Sequence, residues 1–219
     1  MRIGKLNLNK KVMVIAEIGN NHEGSFQLAK KLIKLAADSG ADAVKFQTFI
    51  AEEYISHNLD NERFKKIKKY QLSHEKFKKL KKYASTKNLI FLSTPFDISS
   101  AKYLNKIIPA FKISSGDINF FPMIEFISKT KKPMILSTGI SSFQQIKDTL
   151  KYIQKFRRLD NVALLHCMSL YPTPIDNANL NTIHMLKEIS KYVGYSDHTL
   201  GIDACNAAVA MGARIIEKH

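Results

Sequence analysis

Short apolar runs recur along the chain, and longer stretches with helical periodicity separate most of them. The runs are rich in β-branched and aromatic residues, which is typical of buried strands. Between the first two runs, "SFQLAKKLIKLAADSG" places its apolar residues on one helical face, with Ser25 as the expected N-cap and Gly40 at the expected C-terminal end. Eight runs are predicted as strands, at 12–19, 43–49, 89–96, 110–116, 133–139, 162–169, 192–198 and 214–219.

This order of elements predicts the fold class. Alternation of strand and helix indicates a parallel sheet, and a count of eight favours a (β/α)8 TIM barrel over an open doubly wound sheet. No G-x-G-x-x-G follows the first predicted strand, which argues against a dinucleotide-binding fold. The length of 219 residues fits one domain, so a single catalytic domain over residues 1–219 is expected.

Polar residues collect in the second half of nearly every predicted strand. A buried polar group without a partner costs about 1–3 kcal/mol. Active sites of (β/α)8 barrels lie at the C-terminal ends of the strands, so the repetition predicts one shared polar pocket. The residues are Glu17, Lys45, Gln47, Ser93, Thr94, Lys112, Ser115, Ser137, His166, Ser169, Ser196, His198, Glu217 and His219.

Two histidines close the last two predicted strands, His198 and His219. Neighbouring strands lie about 4.8 Å apart, so their imidazoles are expected to meet and to suit a divalent cation with open positions for water and substrate. The alternative is that each is a surface or hydrogen-bonded histidine. His166 is expected to be a core residue, and the other histidines are expected in loops or helices outside the site: His22, His57, His74 and His184.

Lysines and serines at the same strand ends indicate an anion site. Lys45 and Lys112 end two predicted strands, and a ring of hydroxyl groups accompanies them. Two ammonium groups with several hydroxyls suit a small acid that carries both phosphate and carboxylate. Structural serines and lysines that extend to solvent are the alternative. The serines are Ser115, Ser137, Ser169 and Ser196.

The formal net charge of +15 raises the question of a nucleic-acid or membrane partner. Five of the 34 basic residues are arginine, whereas direct base readout depends on arginine. The densest basic run, 63–87, reads as amphipathic helices with basic outer faces and aromatic core anchors. Solvated helix faces are therefore preferred over nucleic-acid or membrane-surface binding, and neither partner is predicted.

Cysteine usage and hydropathy indicate a cytoplasmic location. Cys167 and Cys205 form no paired motif, which fits a reducing compartment. No apolar run is long enough for a signal peptide or for a membrane span of roughly 18 residues.

Seven motifs together resemble the sialic acid synthase family, which makes N-acetylneuraminate and related nonulosonates such as legionaminic and pseudaminic acids. The resemblance runs in order from about residue 12 to residue 219 and is specific, because several motifs are long. They are "AEIGNNHEGSFQLAKKLIKLAADSGADAVKFQTF", "LSTPFD", "FKISSGD", "ILSTG", "LLHCMSLYPTP", "GYSDHTLG" and "GARIIEKH".

The resemblance implies a barrel that condenses phosphoenolpyruvate with an N-acetylated hexosamine and releases phosphate. It implies His198 and His219 as ligands of Mn2+, or of Mg2+ or Co2+, and Glu17 as a third catalytic residue. Residues implied to hold phosphoenolpyruvate are Lys45, Lys112, Ser115, Ser137, Ser169 and Ser196, and those implied to face the amino sugar are Glu17, Gln47, Asp117 and Tyr171.

One departure from the family pattern concerns the C-terminal side. Family members continue past the "EKH" strand through a last helix to a small antifreeze-like domain, which in the homodimer reaches over the partner's site. This sequence reads as a barrel truncated after the eighth strand. Weak or absent turnover is therefore expected for residues 1–219 alone. Asp117 is a second departure, since a longer Glu often fills this place.

Two other functions stay open. A related phosphoenolpyruvate-dependent synthase of 3-deoxy-ketoacids would need a further basic cluster for the phosphate of its sugar substrate. An inactive barrel fragment could serve as a binding or assembly module, in which case His198 and His219 would have no cation to hold.

Overall fold

The computed structural model describes residues 1–56 and 58–219; the expectation for His57 lies outside the described residues. This described part of the chain contains ten strands. A hairpin that the sequence pattern did not predict opens the chain, with β1 (Arg2–Ile3) antiparallel to β2 (Leu6–Asn7). The other strands are β3 (Met13–Gly19), β4 (Ala43–Thr48), β5 (Ile90–Pro95), β6 (Phe111–Ile113), β7 (Met134–Ser137), β8 (Val162–Cys167), β9 (Tyr192–Asp197) and β10 (Ile215–Lys218).

The eight strands β3 to β10 correspond to the eight predicted strands. They form one sheet in the order β5-β4-β3-β10-β9-β8-β7-β6, and the pairs β4/β5, β6/β7, β7/β8, β8/β9 and β9/β10 are parallel. This is the (β/α)8 barrel fold class, as predicted. The strand β6 ends earlier than expected because Ser115–Asp117 forms a turn of 3-10 helix.

Nine α-helices separate or flank the strands in the described residues. Ser25 caps α1 by accepting a hydrogen bond from the Leu28 N–H, and Gly40, with φ of +80°, follows the helix end, so both predicted ends are confirmed. The helices are α1 (Phe26–Asp38), α2 (Ala51–Tyr54), α3 (Asn61–Tyr70), α4 (His74–Thr86), α5 (Ile98–Leu104), α6 (Phe121–Lys129), α7 (Phe143–Gln154), α8 (Thr182–Lys187) and α9 (Asp203–Ala210).

The basic run at 63–87 forms α3 and α4, as the pattern predicted, but the two helices differ in burial. Helix α4 buries Phe77, Leu80 and Ala84. No residue of α3 is fully buried, so the expectation that its aromatic residues anchor the core is wrong. Charged residues dominate α3, and its apolar residues Phe64, Ile67 and Tyr70 are only partly buried. Within the described residues, no helix has the length and apolar character to cross a bilayer.

Contacts divide the chain into two compact units. The larger unit comprises Met1–Ile15 and Ala110–His219, and the smaller unit comprises Ala16–Pro109. The smaller unit has an aromatic core in which the Phe46 ring lies 5.4 Å from Phe91 and 6.1 Å from Phe77. The expectation of one catalytic domain over residues 1–219 stays a prediction.

Candidate active site

In the larger unit, the two strand-end histidines meet as the sequence predicted. Glu217 lies in register with Ser196 on the parallel strands β9 and β10, which brings the residues after each strand side by side. The ring centroids of His198 and His219 are 4.1 Å apart at an interplanar angle of 80°. Tyr171 covers the pair, with its ring 3.8 Å from His198 and 5.8 Å from His219.

Backbone carbonyls determine the tautomer of both imidazoles. The Nδ1 atom of His198 hydrogen-bonds the Met168 carbonyl, and Nδ1 of His219 lies 3.1 Å from the Asp197 carbonyl. A carbonyl oxygen only accepts, so each neutral ring carries its proton on Nδ1 and keeps a lone pair on Nε2. This is the form in which an imidazole ligates a metal.

The environment of His198 favours the neutral ring. Burial lowers the pKa of His198, although the hydrogen bond to Met168 and the charges of Glu217 and Asp197 oppose the shift. Its Nε2 atom is buried and has no hydrogen-bond partner among residues 1–56 and 58–219. Buried polar atoms are normally satisfied, so this lone pair is expected to bind a ligand such as a cation or a donor group. The donor set therefore fits a divalent cation.

Within residues 1–56 and 58–219, no third protein ligand accompanies the two imidazoles. Among the described residues, no group of three or more His, Cys, Asp or Glu side chains is arranged to hold a metal ion. A cation on this pair would keep several positions for water or substrate, which is the arrangement of a catalytic rather than a structural site.

A buried ion pair lies on the same strands. The Lys112 ammonium is 3.2 Å from Oε2 of Glu217, and the Ser196 hydroxyl donates to the same oxygen at 2.6 Å. Two residues predicted for the anion site therefore converge on the carboxylate of Glu217, which the sequence predicted only as a polar strand-end residue of the pocket. The sequence places Glu217 on the same strand face as His219, because the two residues are two positions apart.

Hydroxyl groups of the larger unit gather around Gly139. The Gly139 N–H donates to the Ser115 hydroxyl at 3.0 Å. A Cβ at Gly139 would lie 2.6 Å from the Cys167 sulfur and 2.9 Å from the Ser169 hydroxyl, so only glycine lets these segments approach. The Ser137 hydroxyl is buried and has no hydrogen-bond partner in the described residues. These predicted anion-binding serines thus include a donor available for a ligand.

Asp117 lies in the 3-10 turn after β6. Its carboxylate hydrogen-bonds the Ser114 hydroxyl. Burial raises the pKa of Asp117, while the Ser114 hydrogen bond and the Lys112 charge oppose the rise. The charge of Lys112 thus acts on Asp117, while the role of Asp117 toward a sugar stays a prediction.

In the smaller unit, Glu17 and Lys45 form a second buried ion pair. The Lys45 ammonium is 2.8 Å from Oε2 of Glu17 and 2.9 Å from the Thr94 hydroxyl. Thr94 was recognised only as a polar strand-end residue, and its contact with Lys45 depends on the parallel pairing of β4 with β5. Both charged side chains are 5% exposed, so each must be compensated locally.

An amide pair lies next to Glu17 in the same unit. The Asn20 amide donates to Oε1 of Gln47 at 2.6 Å, which turns the Gln47 amide nitrogen in the opposite direction. A Cβ at Gly19, whose φ is +53°, would lie 3.1 Å from a Glu17 oxygen and 3.6 Å from the Gln47 nitrogen. Asn20 was not predicted as a site residue, because nothing in a loop sequence shows which amide it contacts.

The remaining histidines lie apart from the strand-end pair. His166 is buried, and its Nε2 is 2.7 Å from the Ala178 carbonyl, so the prediction of a core histidine is confirmed. His74 begins α4 and His184 lies in α8. His22 is in a loop as expected but is only 1% exposed. Burial lowers its pKa to about 4, and its Nδ1 accepts the Gly24 N–H at 3.0 Å.

A cavity of about 420 Å3 opens between the ends of β7 and β8 and helices α7 and α8. Its lining includes Thr138, His166, Asn179 and Met185, together with Gly139 and Cys167. The cavity therefore adjoins the hydroxyl groups that gather around Gly139.

Eight parallel strands with imidazoles, buried lysines and hydroxyls at their C-terminal ends define a (β/α)8 barrel protein with an enzyme-type polar site. The NeuB family model matches residues 32–219. An N,N'-diacetyllegionaminic acid synthase of Campylobacter jejuni is 43% identical over 225 residues, which cover 96% of this chain and 67% of that protein. The chain belongs to the NeuB family.

Two further proteins are similar to the chain. An uncharacterized protein of Methanocaldococcus jannaschii is 47% identical over 208 residues, or 94% of this chain and 61% of that protein. The crystal structure of an N-acetylneuraminic acid (sialic acid) synthetase from Leptospira borgpetersenii in complex with citrate is 36% identical. It has a TM-score of 0.93 and covers 100% of this chain and 77% of that chain. The chain thus spans about three fifths to two thirds of the curated relatives it matches.

Proposed function

We propose that this chain is the barrel part of a nonulosonic acid synthase, which condenses phosphoenolpyruvate with an N-acetylated hexosamine and releases phosphate. The observation that carries the proposal is the pair of imidazoles whose centroids are 4.1 Å apart, each with its Nδ1 beside a backbone carbonyl, in a chain of the NeuB family. Names of relatives support the product class, because they include legionaminic, pseudaminic and N-acetylneuraminate-9-phosphate synthases.

His198 and His219 would hold Mn2+, or Mg2+ or Co2+, through their Nε2 atoms. When bound, such a cation supplies Lewis-acid polarisation of the aldehyde of the open-chain sugar. The two backbone carbonyls at Nδ1 orient the rings before any ligand arrives, which reduces the reorganisation that binding requires. Tyr171 packs on both rings and would form the side of the metal site that faces the sugar.

The larger unit would bind the phosphate and carboxylate of phosphoenolpyruvate. Lys112 supplies a buried positive charge that Glu217 and Ser196 hold in position. The unpartnered Ser137 hydroxyl supports a role as a donor to the anion. Ser115 and Ser169 lie beside Gly139 and would complete this set of hydroxyls. Asp117 would face the sugar.

The smaller unit carries further residues predicted to contact the substrates. Lys45 supplies a second buried charge for phosphoenolpyruvate, and Thr94 positions its ammonium group. Glu17, ion-paired with Lys45, would orient the sugar or accept a proton from it. The Gln47 amide nitrogen, turned by Asn20, would donate to a sugar oxygen.

The proposed reaction balances without a redox partner. C3 of phosphoenolpyruvate attacks the sugar aldehyde and forms the new carbon–carbon bond, while the aldehyde oxygen takes up a proton. Water adds at C2, and the resulting tetrahedral intermediate loses inorganic phosphate to give the 2-keto acid. Lys112, the buried lysine of the larger unit, would stabilise the negative charge of the phosphate group as it departs.

A phosphate-release assay tests the proposal. The protein is given phosphoenolpyruvate with N-acetylmannosamine, with 2,4-diacetamido-2,4,6-trideoxymannose, or with the altrose isomer, each with and without Mn2+. Phosphate release that needs one of these sugars and the cation supports the proposal and identifies the sugar. Reaction with arabinose 5-phosphate alone would instead select the 3-deoxy-ketoacid synthase, and no Mn2+ binding at all would favour a binding or assembly module.

Three finer expectations belong to the same proposal. They are a cytoplasmic location, a homodimer, and weak turnover by residues 1–219 without the remainder found in the relatives. Sedimentation of the protein tests the dimer. Comparison of residues 1–219 with a longer form tests the third expectation, and equal turnover by both would contradict it.

A further inference from the structure

The side chain of Asp197 is fully buried and receives three donors. Its Oδ1 accepts the Thr199 N–H at 2.8 Å, and its Oδ2 accepts the Cys205 thiol at 3.0 Å and the Lys218 ammonium at 2.9 Å. A carboxylate buried to this extent is tolerated only with such compensation. Burial raises the pKa of the Cys205 thiol to about 12, so the thiol remains protonated and able to donate.

Asp197 and Lys218 occupy matching positions on adjoining strands. They are in register on the parallel strands β9 and β10, and each immediately precedes one of the two strand-end histidines. Side chains of consecutive strand residues point to opposite faces, so this ion pair forms on the face away from Glu217 and Ser196. The pair therefore joins the two strands at the last position before His198 and His219.

The backbone of Asp197 makes a second connection to the same place. Its carbonyl accepts the His219 N–H at 3.2 Å and lies 3.1 Å from Nδ1 of the His219 ring. The Lys218 ammonium also donates to the Thr199 carbonyl at 2.6 Å, which ties the residue after His198 to β10. The ion pair and these carbonyl hydrogen bonds together connect the two segments that carry His198 and His219.

We propose that Asp197 is a positioning residue, which sets the separation of the two imidazoles and holds the proton of His219 on Nδ1. The inference rests on the proposed function only in its use of a cation as probe. Neither Asp197 nor Lys218 would touch the cation. A carboxylate that served only to stabilise the fold would leave the ring tautomers of a folded variant unchanged, whereas a positioning residue would not.

The test compares Asp197→Asn with Lys218→Met in the full chain. Asparagine in place of Asp197 keeps an oxygen that accepts the Thr199 N–H but has no charge to pair with Lys218. Methionine in place of Lys218 removes the positive partner of the same ion pair. Both variants are expected to lower Mn2+ affinity about 10–100-fold, the usual effect of changing groups that orient metal ligands. Asp203→Asn, an exposed carboxylate in the first turn of α9, is the matched control and should bind Mn2+ as the parent does.

A second measurement needs no metal. Long-range nitrogen–proton NMR spectra of the imidazoles, assigned with His198→Ala and His219→Ala, report which nitrogen carries the proton. In the metal-free parent, both rings should be protonated on Nδ1, and in Asp197→Asn the His219 signal should move toward the Nε2-protonated form. Thermal unfolding of each variant shows whether it is folded.

The outcomes separate this inference from the proposed function. Unchanged imidazole spectra in folded Asp197→Asn and Lys218→Met would overturn the positioning role, whatever the metal affinity. A parent protein that binds no Mn2+ would overturn the metal assignment alone, since the metal-free spectra still decide the role of Asp197. If Asp197→Asn fails to fold, Lys218→Met, whose side chain is partly exposed, decides the question.

Discussion

Each compact unit buries one lysine–glutamate ion pair, but the groups beside the two pairs differ. In the smaller unit Lys45 lies 2.8 Å from Glu17, and in the larger unit Lys112 lies 3.2 Å from Glu217. All four side chains are at most 5% exposed. Removing such charges from water costs several kcal/mol per ion, so neither pair is explained by stability alone.

The polar groups beside each ion pair indicate the kind of ligand group that the pair suits. Glu17 and Lys45 lie beside the Asn20–Gln47 amide pair, which offers neutral donors and acceptors suited to a sugar. The charge of Glu217 acts on His198, which is packed against His219. We therefore expect the two similar ion pairs to serve different chemistry, because the adjacent polar groups decide what each can bind.

Breaking either ion pair is expected to have the largest effect. Lys112→Met or Lys45→Met leaves a buried carboxylate without its ammonium partner and should lower the free energy of unfolding by about 3–5 kcal/mol. Urea denaturation measures the loss. The double variant Lys112→Met with Glu217→Gln should recover part of it, and additive losses would show that the two charges are not coupled. Lys79→Met, in an exposed pair with Glu75, is the control and should change little.

Removing one imidazole should affect only the larger unit. His198→Ala or His219→Ala is expected to weaken Mn2+ binding by more than about 100-fold, because each would remove a direct ligand rather than a group that orients one. Calorimetric titration gives the affinity. His184→Ala, an exposed histidine of α8, is the matched control. Equal Mn2+ affinity in all three variants would show that the pair is not a metal site.

The buried histidine of the smaller unit should appear in the pH dependence of stability. His22 has a pKa lowered by burial to about 4, below the unfolded value of about 6.5. Between these values the unfolded state binds more protons, so stability falls as the pH falls. From pH 7 to pH 5 this group alone should remove about 2 kcal/mol of unfolding free energy.

The experiment compares pH slopes rather than absolute stabilities. His22→Gln should have a smaller decrease in unfolding free energy between pH 7 and pH 5 than the parent. His184→Gln, which replaces an exposed histidine, is the control and should keep the pH dependence of the parent. A parent and His22→Gln with the same slope would mean that His22 titrates normally in the folded protein.

The amide pair should give the smallest effect and the most selective one. Asn20→Ala removes the donor to Gln47, which costs about 1 kcal/mol, equal to about fivefold in affinity. The KM for the amino sugar should rise while that for phosphoenolpyruvate stays constant. Asn21→Ala, at the exposed neighbouring position, is the control. A parallel rise in both KM values would contradict a separate sugar-facing role for Gln47.

The sequence predicted the eight strands and the meeting of His198 with His219, because both follow from local periodicity. A strand alternates its side chains with a period of two residues, and polar residues late in successive parallel strands share an edge of the sheet. The motifs that resemble a known family also pointed to Lys45, Lys112 and the serines. The strand pattern needs no knowledge of distant contacts, whereas the meeting of the two histidines followed once the eight strands were assigned to a barrel that places the last two side by side.

Other features were decided by the tertiary structure. The partners of Glu217, Thr94, Asn20 and Asp197 lie at least 21 residues away in the chain or depend on the register of two strands. A sequence pattern reports which face a side chain takes but not which atom it meets, since that depends on strand register and on close approaches such as the one at Gly139. The tautomers of the two imidazoles were likewise decided by backbone carbonyls. Every residue has such a carbonyl, so only the folded chain shows which one reaches each Nδ1 atom.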